Sequence, residues 1–176
     1  NIIQVSQCGE DSGNYYFVPR DVQLQDIARA QKGEQVKSLI SWTAFFDALR
    51  GAAGRRVLIV DTCHARNIEG SFEAHSLLKR SASSQFALIV AAKGNEESQE
   101  YAQAKHGLFT YSLLSAMNAS SDRNRDGVLS LQEIFDAALP LVDSLRFKQA
   151  GPQTPQMVAP QVLSDMSMMK AQAAAP

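Results

Sequence analysis

Two short apolar runs, Val57-Leu58-Ile59-Val60 and Phe86-Ala87-Leu88-Ile89-Val90, constrain this chain more than any other feature. Each is too short for a stable helix, and both are rich in β-branched side chains. Neither alternates apolar with polar residues, so a strand made from either carries apolar groups on both faces. Such strands belong in a sheet covered on both sides, the arrangement of parallel sheets packed by helices. A parallel pair needs a crossover connection. Residues 64–84 provide one, with Glu73, Ala74, Leu77 and Leu78 in weak helical spacing.

The remaining patterns supply flanking elements. Ile2, Ile3 and Val5 are β-prone, and Tyr15-Tyr16-Phe17-Val18 forms a second short strand stopped by Pro19. Residues 21–40 read as a loop with some helix. Trp42, Phe45, Phe46 and Leu49 recur at helical spacing, with Ser41 placed as N-cap and Gly51 placed to end the helix. Two more helices are expected. One covers 107–118, with Phe109, Leu113, Ala116 and Met117 on one face; the other covers 130–146, with Leu131, Ile134, Phe135, Ala138, Leu141 and Leu145. Pro140 predicts a kink or an early end in the second. Gln156-Met157-Val158-Ala159 reads as an edge strand. The fold class is α/β, a mostly parallel sheet flanked by helices. One domain is expected over 1–163, followed by a mobile Met- and Ala-rich tail over 164–176.

Composition narrows the functions. The 176 residues suffice for one proper core. Lys and Arg total 17 against 18 Asp and Glu, a formal net charge of -1, which argues against the basic face of a nucleic-acid binder. No apolar run approaches the roughly 20 residues of a membrane span. Two cysteines, Cys8 and Cys63, do not make a disulfide scaffold, and a reducing compartment, the cytoplasm, is expected. The chain opens at Asn1 in an apparent strand, so other domains of a longer parent chain are expected as partners.

Asp61-Thr62-Cys63-His64 follows directly on the first apolar run. In parallel α/β sheets functional groups collect at the carboxyl ends of strands, which places Cys63 where a nucleophile belongs. A free thiol is only a few per cent thiolate at neutral pH, so it needs a base or a positive charge nearby. A lone cysteine read alone is more often a buried small hydrophobe.

The stretch Val-Leu-Ile-Val-Asp-Thr-Cys-His-Ala resembles the nucleophile strand of caspase-like cysteine peptidases (clan CD) of the metacaspase and bacterial type. Four further segments resemble the family in order: Tyr16-Phe17-Val18-Pro19-Arg20-Asp21, Ala91-Ala92 with the acidic run to Glu100, His106-Gly107-Leu108-Phe109-Thr110-Tyr111, and Gln153-Thr154-Pro155-Gln156. The resemblance implies a caspase-like endopeptidase acting on protein or peptide substrates, with Cys63 as nucleophile. It implies that Asp61 helps select Arg or Lys before the scissile bond, by complementarity of charge. Asp61 alone also reads as the cap of a strand-to-loop turn.

One motif departs from the family. Where its general base stands in Gly-His-Gly, this chain reads Gln7-Cys8-Gly9, with Cys8 55 residues before Cys63. The resemblance thus puts Cys8 at the position of the base and Gly9 in the oxyanion region. A thiol is a poor general base near pH 7. His64, His75 and His106 are the other histidines. His64 neighbours the nucleophile and so points to the opposite side of an extended chain, His75 lies among polar residues, and His106 opens a helix. Two readings remain open: an endopeptidase cleaving after basic residues, and an inactive relative that binds peptides and calcium as a regulatory module. A redox or metal site pairing Cys8 with Cys63 is a third.

Asp122-Arg123-Asn124-Arg125-Asp126-Gly127, followed by Glu133, fits the twelve-residue calcium loop at every specified position. Asp122, Asn124 and Asp126 offer side-chain oxygens, Val128 a carbonyl, Ser130 a direct or water-mediated ligand, and Glu133 a bidentate carboxylate. The helices expected on either side make it EF-hand-like, and a structural Ca²⁺ is expected. Arg123 and Arg125 offset its charge. A polar turn in which Glu133 is only an early-helix acid is the competing reading.

Overall fold

Apolar spacing decides where elements form in both halves of the chain. The computed structural model describes residues 2–5, 14–32, 34–61, 86–93, 96–147 and 150–172. Among them the chain divides into two units, one ending at Gly54 and the other beginning at Arg55.

The first unit holds β1 (Ile2–Val5), β2 (Asn14–Phe17), α1 (Leu24–Gln31), β3 (Ile40–Ser41) and α2 (Trp42–Gly51). The strands pair antiparallel in the order β1-β2-β3, with Ile2 opposite Phe17 and Tyr16 opposite Ser41. Ser41 caps α2 as expected, its hydroxyl oxygen accepting from the Ala44 N–H at 3.2 Å. Ala30, Val36 and Leu39 make a small core under Tyr16, Val18 and Val22.

The second unit carries the sheet built on the two apolar runs. β4 (Arg56–Val60) and β5 (Phe86–Val90) pair parallel, from Arg56 opposite Phe86 to Val60 opposite Val90. β9 (Gln156–Val158) adds antiparallel to the other side of β5, giving the order β4-β5-β9. The expected edge strand at 156 is therefore present. All five residues of β5 are buried, as a strand covered on both faces requires. β4 departs from that expectation: it ends the described sheet, and Ile59 is 46% exposed.

From β5 the chain runs through a short hairpin, β6 (Glu100–Tyr101) with β7 (His106–Gly107), into α3 (Leu108–Ala116). After a 3-10 turn at Ala119–Ser121 comes β8 (Val128–Ser130) and then α4 (Leu131–Leu145). Phe109, Leu113 and Ala116 of α3 pack with Ile134, Phe135, Ala138 and Val142 of α4 and with Ala87 and Ile89 of β5. The Phe109 and Phe135 rings meet edge to face, 6.4 Å between centroids.

The helix expected over 130–146 is present as Leu131–Leu145, and of the kink or early end expected at Pro140 the early end does not occur. Pro140 is exposed and costs one backbone hydrogen bond, while Ala138 and Val142 on either side are fully buried and hold the helix to the core. The described residues of the segment from 164 to 172 carry secondary structure. α5 (Gln161–Ser164) buries Leu163, and β10 (Ser167–Lys170) pairs antiparallel with β8. The Leu131 N–H donates to the Met166 carbonyl at 3.1 Å, and the Ala119 N–H to that of Gln172 at 2.7 Å. The methionines that suggested a loose tail instead pack Met166 and Met169 against the core. Among the described residues no helix is long and apolar enough to cross a membrane.

Candidate active site

Parallel pairing extends one step past the strands, since the Ala91 N–H donates to the Val60 carbonyl at 2.9 Å. The next residue of the β4 chain is Asp61. Its carboxylate accepts three hydrogen bonds. Oδ1 takes the Ser98 hydroxyl at 2.5 Å, and Oδ2 takes the Thr110 N–H at 2.9 Å and the Thr110 hydroxyl at 2.6 Å. Thr110 is the third residue of α3, whose N-cap is Gly107 and lacks a side chain to satisfy the first N–H groups. Asp61 supplies that cap from another strand, and its charge faces the positive end of the helix. Gly107 has to be glycine for the same reason: a Cβ there would overlap the Asp61 carboxylate.

Ser98 is held in turn. Gln153, buried at 5% exposure, donates from Nε2 to the Ala91 carbonyl at 3.1 Å and to Ser98 Oγ at 3.4 Å. Its Oε1 accepts the Gln99 N–H at 2.9 Å. Glu96 accepts from the Thr154 N–H at 2.6 Å and the Thr154 hydroxyl at 2.9 Å. Four segments that are far apart in sequence thus meet at the carboxyl ends of β4 and β5: residue 61, residues 91 and 96–99, residues 107–110 and residues 153–154.

The structure brings together Asp61 and the motif residues Gly107, Thr110, Gln153 and Thr154. Cys63, Cys8, Gly9, His64 and His75 lie outside the described residues. His106 is exposed and sits in β7 opposite Tyr101. Ser98 and Gln99 were not singled out by sequence, and Glu96 only as part of the acidic run to Glu100. They fall in the polar run after Ala91-Ala92, where nothing in the residue types marks a hydroxyl or an amide as the one that turns inward.

A model of the caspase domain (peptidase family C14) matches residues 6–166. The chain belongs to the caspase-domain family. No curated protein matches it. Membership fixes the class as a caspase-like cysteine peptidase domain of α/β fold and implies protein substrates.

The loop between α3 and α4 lies on the far side of α3 in sequence. Its turns are made by its own side chains. Asp122 Oδ1 and Oδ2 accept from the N–H groups of Asp126 (3.2 Å) and Gly127 (3.0 Å), Asn124 Oδ1 from Asp126 (2.9 Å), and Asp126 Oδ1 from Val128 (2.9 Å). Arg125 and Gly127 take positive φ, 59° and 84°. The pattern's reason for Gly127 is therefore met. Glu133 closes the loop. Its Oε1 accepts the N–H groups of Arg123 (3.0 Å) and Asn124 (3.4 Å), and its Oε2 accepts the N–H (2.9 Å) and hydroxyl (2.8 Å) of Ser130. Ser130 and Glu133 form a capping box at the start of α4. The six candidate ligands thus lie on one loop and are of the right type. As placed, Glu133 is spent on backbone N–H groups, and among the described residues no three His, Cys, Asp or Glu side chains are grouped to hold a metal.

The Ser130 N–H, and then the Ser130 hydroxyl and the N–H groups of Asn124 and Arg123, hold the Glu133 carboxyl below its usual 4.5 against the opposing effect of burial. A depressed carboxylate stabilises the fold above its unfolded-state pKa, and that stability is lost as pH falls through the folded-state value. Glu133→Gln keeps one acceptor oxygen and so serves only one side of the loop. Thermal unfolding should show a loss of about 1–2 kcal/mol at pH 7, typical of a missing cap. Stability should also fall less steeply below about pH 5 than in the parent protein.

Proposed function

We propose that this domain is a cysteine endopeptidase that cleaves after Arg or Lys, with Cys63 as nucleophile and Asp61 as the acid nearest the residue before the scissile bond. The observation that carries the reading is the meeting of three family motifs around Asp61, two residues before Cys63. Attack of the Cys63 sulfur on the scissile carbonyl forms a thioester and releases the amine. Water then hydrolyses the thioester and returns the thiol. N–H groups near Gly9 and Cys63 are the proposed donors to the oxyanion.

A second reading is favoured by one residue. Cys8 holds the position at which the family carries its histidine base, and a thiol does not hand a proton to the leaving amine as imidazole does. A chain of this sequence then binds basic peptides with little or no turnover. Turnover of Arg or Lys peptides should be far below the ordinary 1–10³ s⁻¹, and Cys8→His should raise it. Asp61→Ala should cost Arg and Lys substrates more than neutral ones. Rates abolished by Cys63→Ala yet already in the ordinary range would overturn the inactive reading, and no gain from Cys8→His would show that position 8 is not the base position.

We also propose a structural Ca²⁺ in the loop 122–133. It is supported by the donor set, the positive φ at Arg125 and Gly127, and the flanking helices. The ion has to compete with four hydrogen bonds to Glu133 and with the charges of Arg123 and Arg125, so modest affinity is expected. Binding to the folded form alone raises the unfolding temperature with ligand concentration. Melting curves in chelator and in millimolar Ca²⁺ should differ, and superimposed curves would remove the ion from the account.

A further inference from the structure

We infer that Met166 and Met169 form a methionine-oxidation site, whose modification by a peroxide releases the segment 166–172 from β8. Three of the chain's five methionines fall within the four residues Met166 to Met169. Regular strand alternation would send Met166 and Met168 to one face, with Ser167 and Met169 on the other. The ladder between β10 and β8 is irregular between Ser167 and Met169, and that bulge breaks the alternation. Met166 and Met169 both pack against the apolar core, while Met168 is 41% exposed. Opposite Met169 stands Leu129, which is fully buried. Neither Met166 nor Met169 is itself fully buried, so a small oxidant reaches them without unfolding the chain.

The step is a two-electron oxygen transfer. The thioether sulfur is oxidised and gains an S=O bond; the O–O bond of the peroxide breaks, and the peroxide is reduced to water or an alcohol. An apolar, adaptable side chain becomes a strongly polar one, which is costly against neighbours that offer no hydrogen bond. At Met168 the same change meets water. At Met166 and Met169 it opposes the packing that holds the segment down. Beyond Leu163, which anchors α5 at 0% exposure, the other holds are backbone bonds. β10 pairs with β8, the Leu131 N–H donates to the Met166 carbonyl, the Ala171 N–H to that of Gly127, and the Ala119 N–H to that of Gln172. Gly127, β8 and Leu131 all belong to the loop 122–133, so release of the segment is felt there. A reductase that draws electrons from a dithiol removes the oxygen as water and restores the thioether, which makes the change reversible.

The test treats the full chain with hydrogen peroxide, locates the added oxygens by peptide mass spectrometry, and follows amide hydrogen exchange. Once Met166 and Met169 carry oxygen, the Ala119, Leu131 and Ala171 amides should exchange about ten-fold faster or more, with those of β5 unchanged. Met168→Leu should respond as the parent does. Met166→Leu combined with Met169→Leu conserves volume and should abolish the response, with the unfolding temperature within a few degrees of the parent's. An effect of oxidation at Cys8 or Cys63 would persist in that double variant, so a response that survives there overturns the inference. Unchanged exchange at the three amides in protein oxidised at both Met166 and Met169 overturns it as well. So does resistance of both residues to peroxide that converts Met168 completely, and so does equal acceleration throughout β5, which reports global unfolding. Methionine sulfoxide reductases with a dithiol should return exchange in the oxidised parent to its starting rate. If the double variant does not fold, the comparison of oxidised with untreated parent decides the inference by itself.

Discussion

The second unit depends on a single carboxylate placed where three pieces of backbone need it. Asp61 directly follows β4, caps α3 in place of the side chain that Gly107 lacks, and receives the Ser98 hydroxyl. Hydrogen bonds to a charged acceptor contribute roughly 1.5–3 kcal/mol each when their geometry is good, and leaving such a partly buried acceptor unpaired carries a desolvation cost. The arrangement is therefore all or nothing. It requires glycine at 107 and a hydroxyl at 110, and it draws the loop bearing Ser98 against the sheet. The same carboxylate lies one residue past the parallel ladder, at the carboxyl end of β4.

The scaffold behind this arrangement is unusually well buried. β5 is covered on both faces and flanked by β4 and β9, and the α3–α4 pair packs across it through Phe109, Ile134, Phe135 and Val142. Densely packed cores of this kind resist small displacements, because every side chain touches neighbours that have nowhere to go. Gln153 transmits that rigidity outward, from the Ala91 carbonyl to Ser98. β10 completes the far side by pairing with β8, which ties the loop 122–133 to the carboxyl-terminal segment.

Much of this was legible in the sequence because it depends on periodicity. The apolar runs at 57–60 and 86–90 gave parallel strands, the i, i+3, i+4 stripes gave α2, α3 and α4, and Ser41 gave a cap. What periodicity cannot show is tertiary compensation. Pro140 reads as a kink or an early end because local rules do not weigh the buried Ala138 and Val142 beside it. The segment 166–170 reads as tail because Met and Lys in a short run carry no alternation, and its strand exists only through its pairing with β8. At the site, motif residues such as Gly107 and Gln153 were visible as members of a pattern, but their reasons were not. Those reasons are a carboxylate from residue 61 and a carbonyl from residue 91, both remote in sequence. Ser98 lay inside a family-like segment but carried no signal of its own, since a serine in a polar run looks the same whether it faces water or Asp61.

The central claim is that the chain just beyond Asp61 presents a cysteine nucleophile to a basic peptide. The most direct measurement is the site and selectivity of covalent capture. The protein is treated with matched peptidyl electrophiles that differ only in carrying Arg or a neutral isostere, and the adduct is located by peptide mass spectrometry. The account predicts one adduct, on Cys63, formed faster with the Arg probe than with its neutral counterpart. An adduct on Cys8 in preference to Cys63, or equal rates with both probes at Cys63, would contradict it.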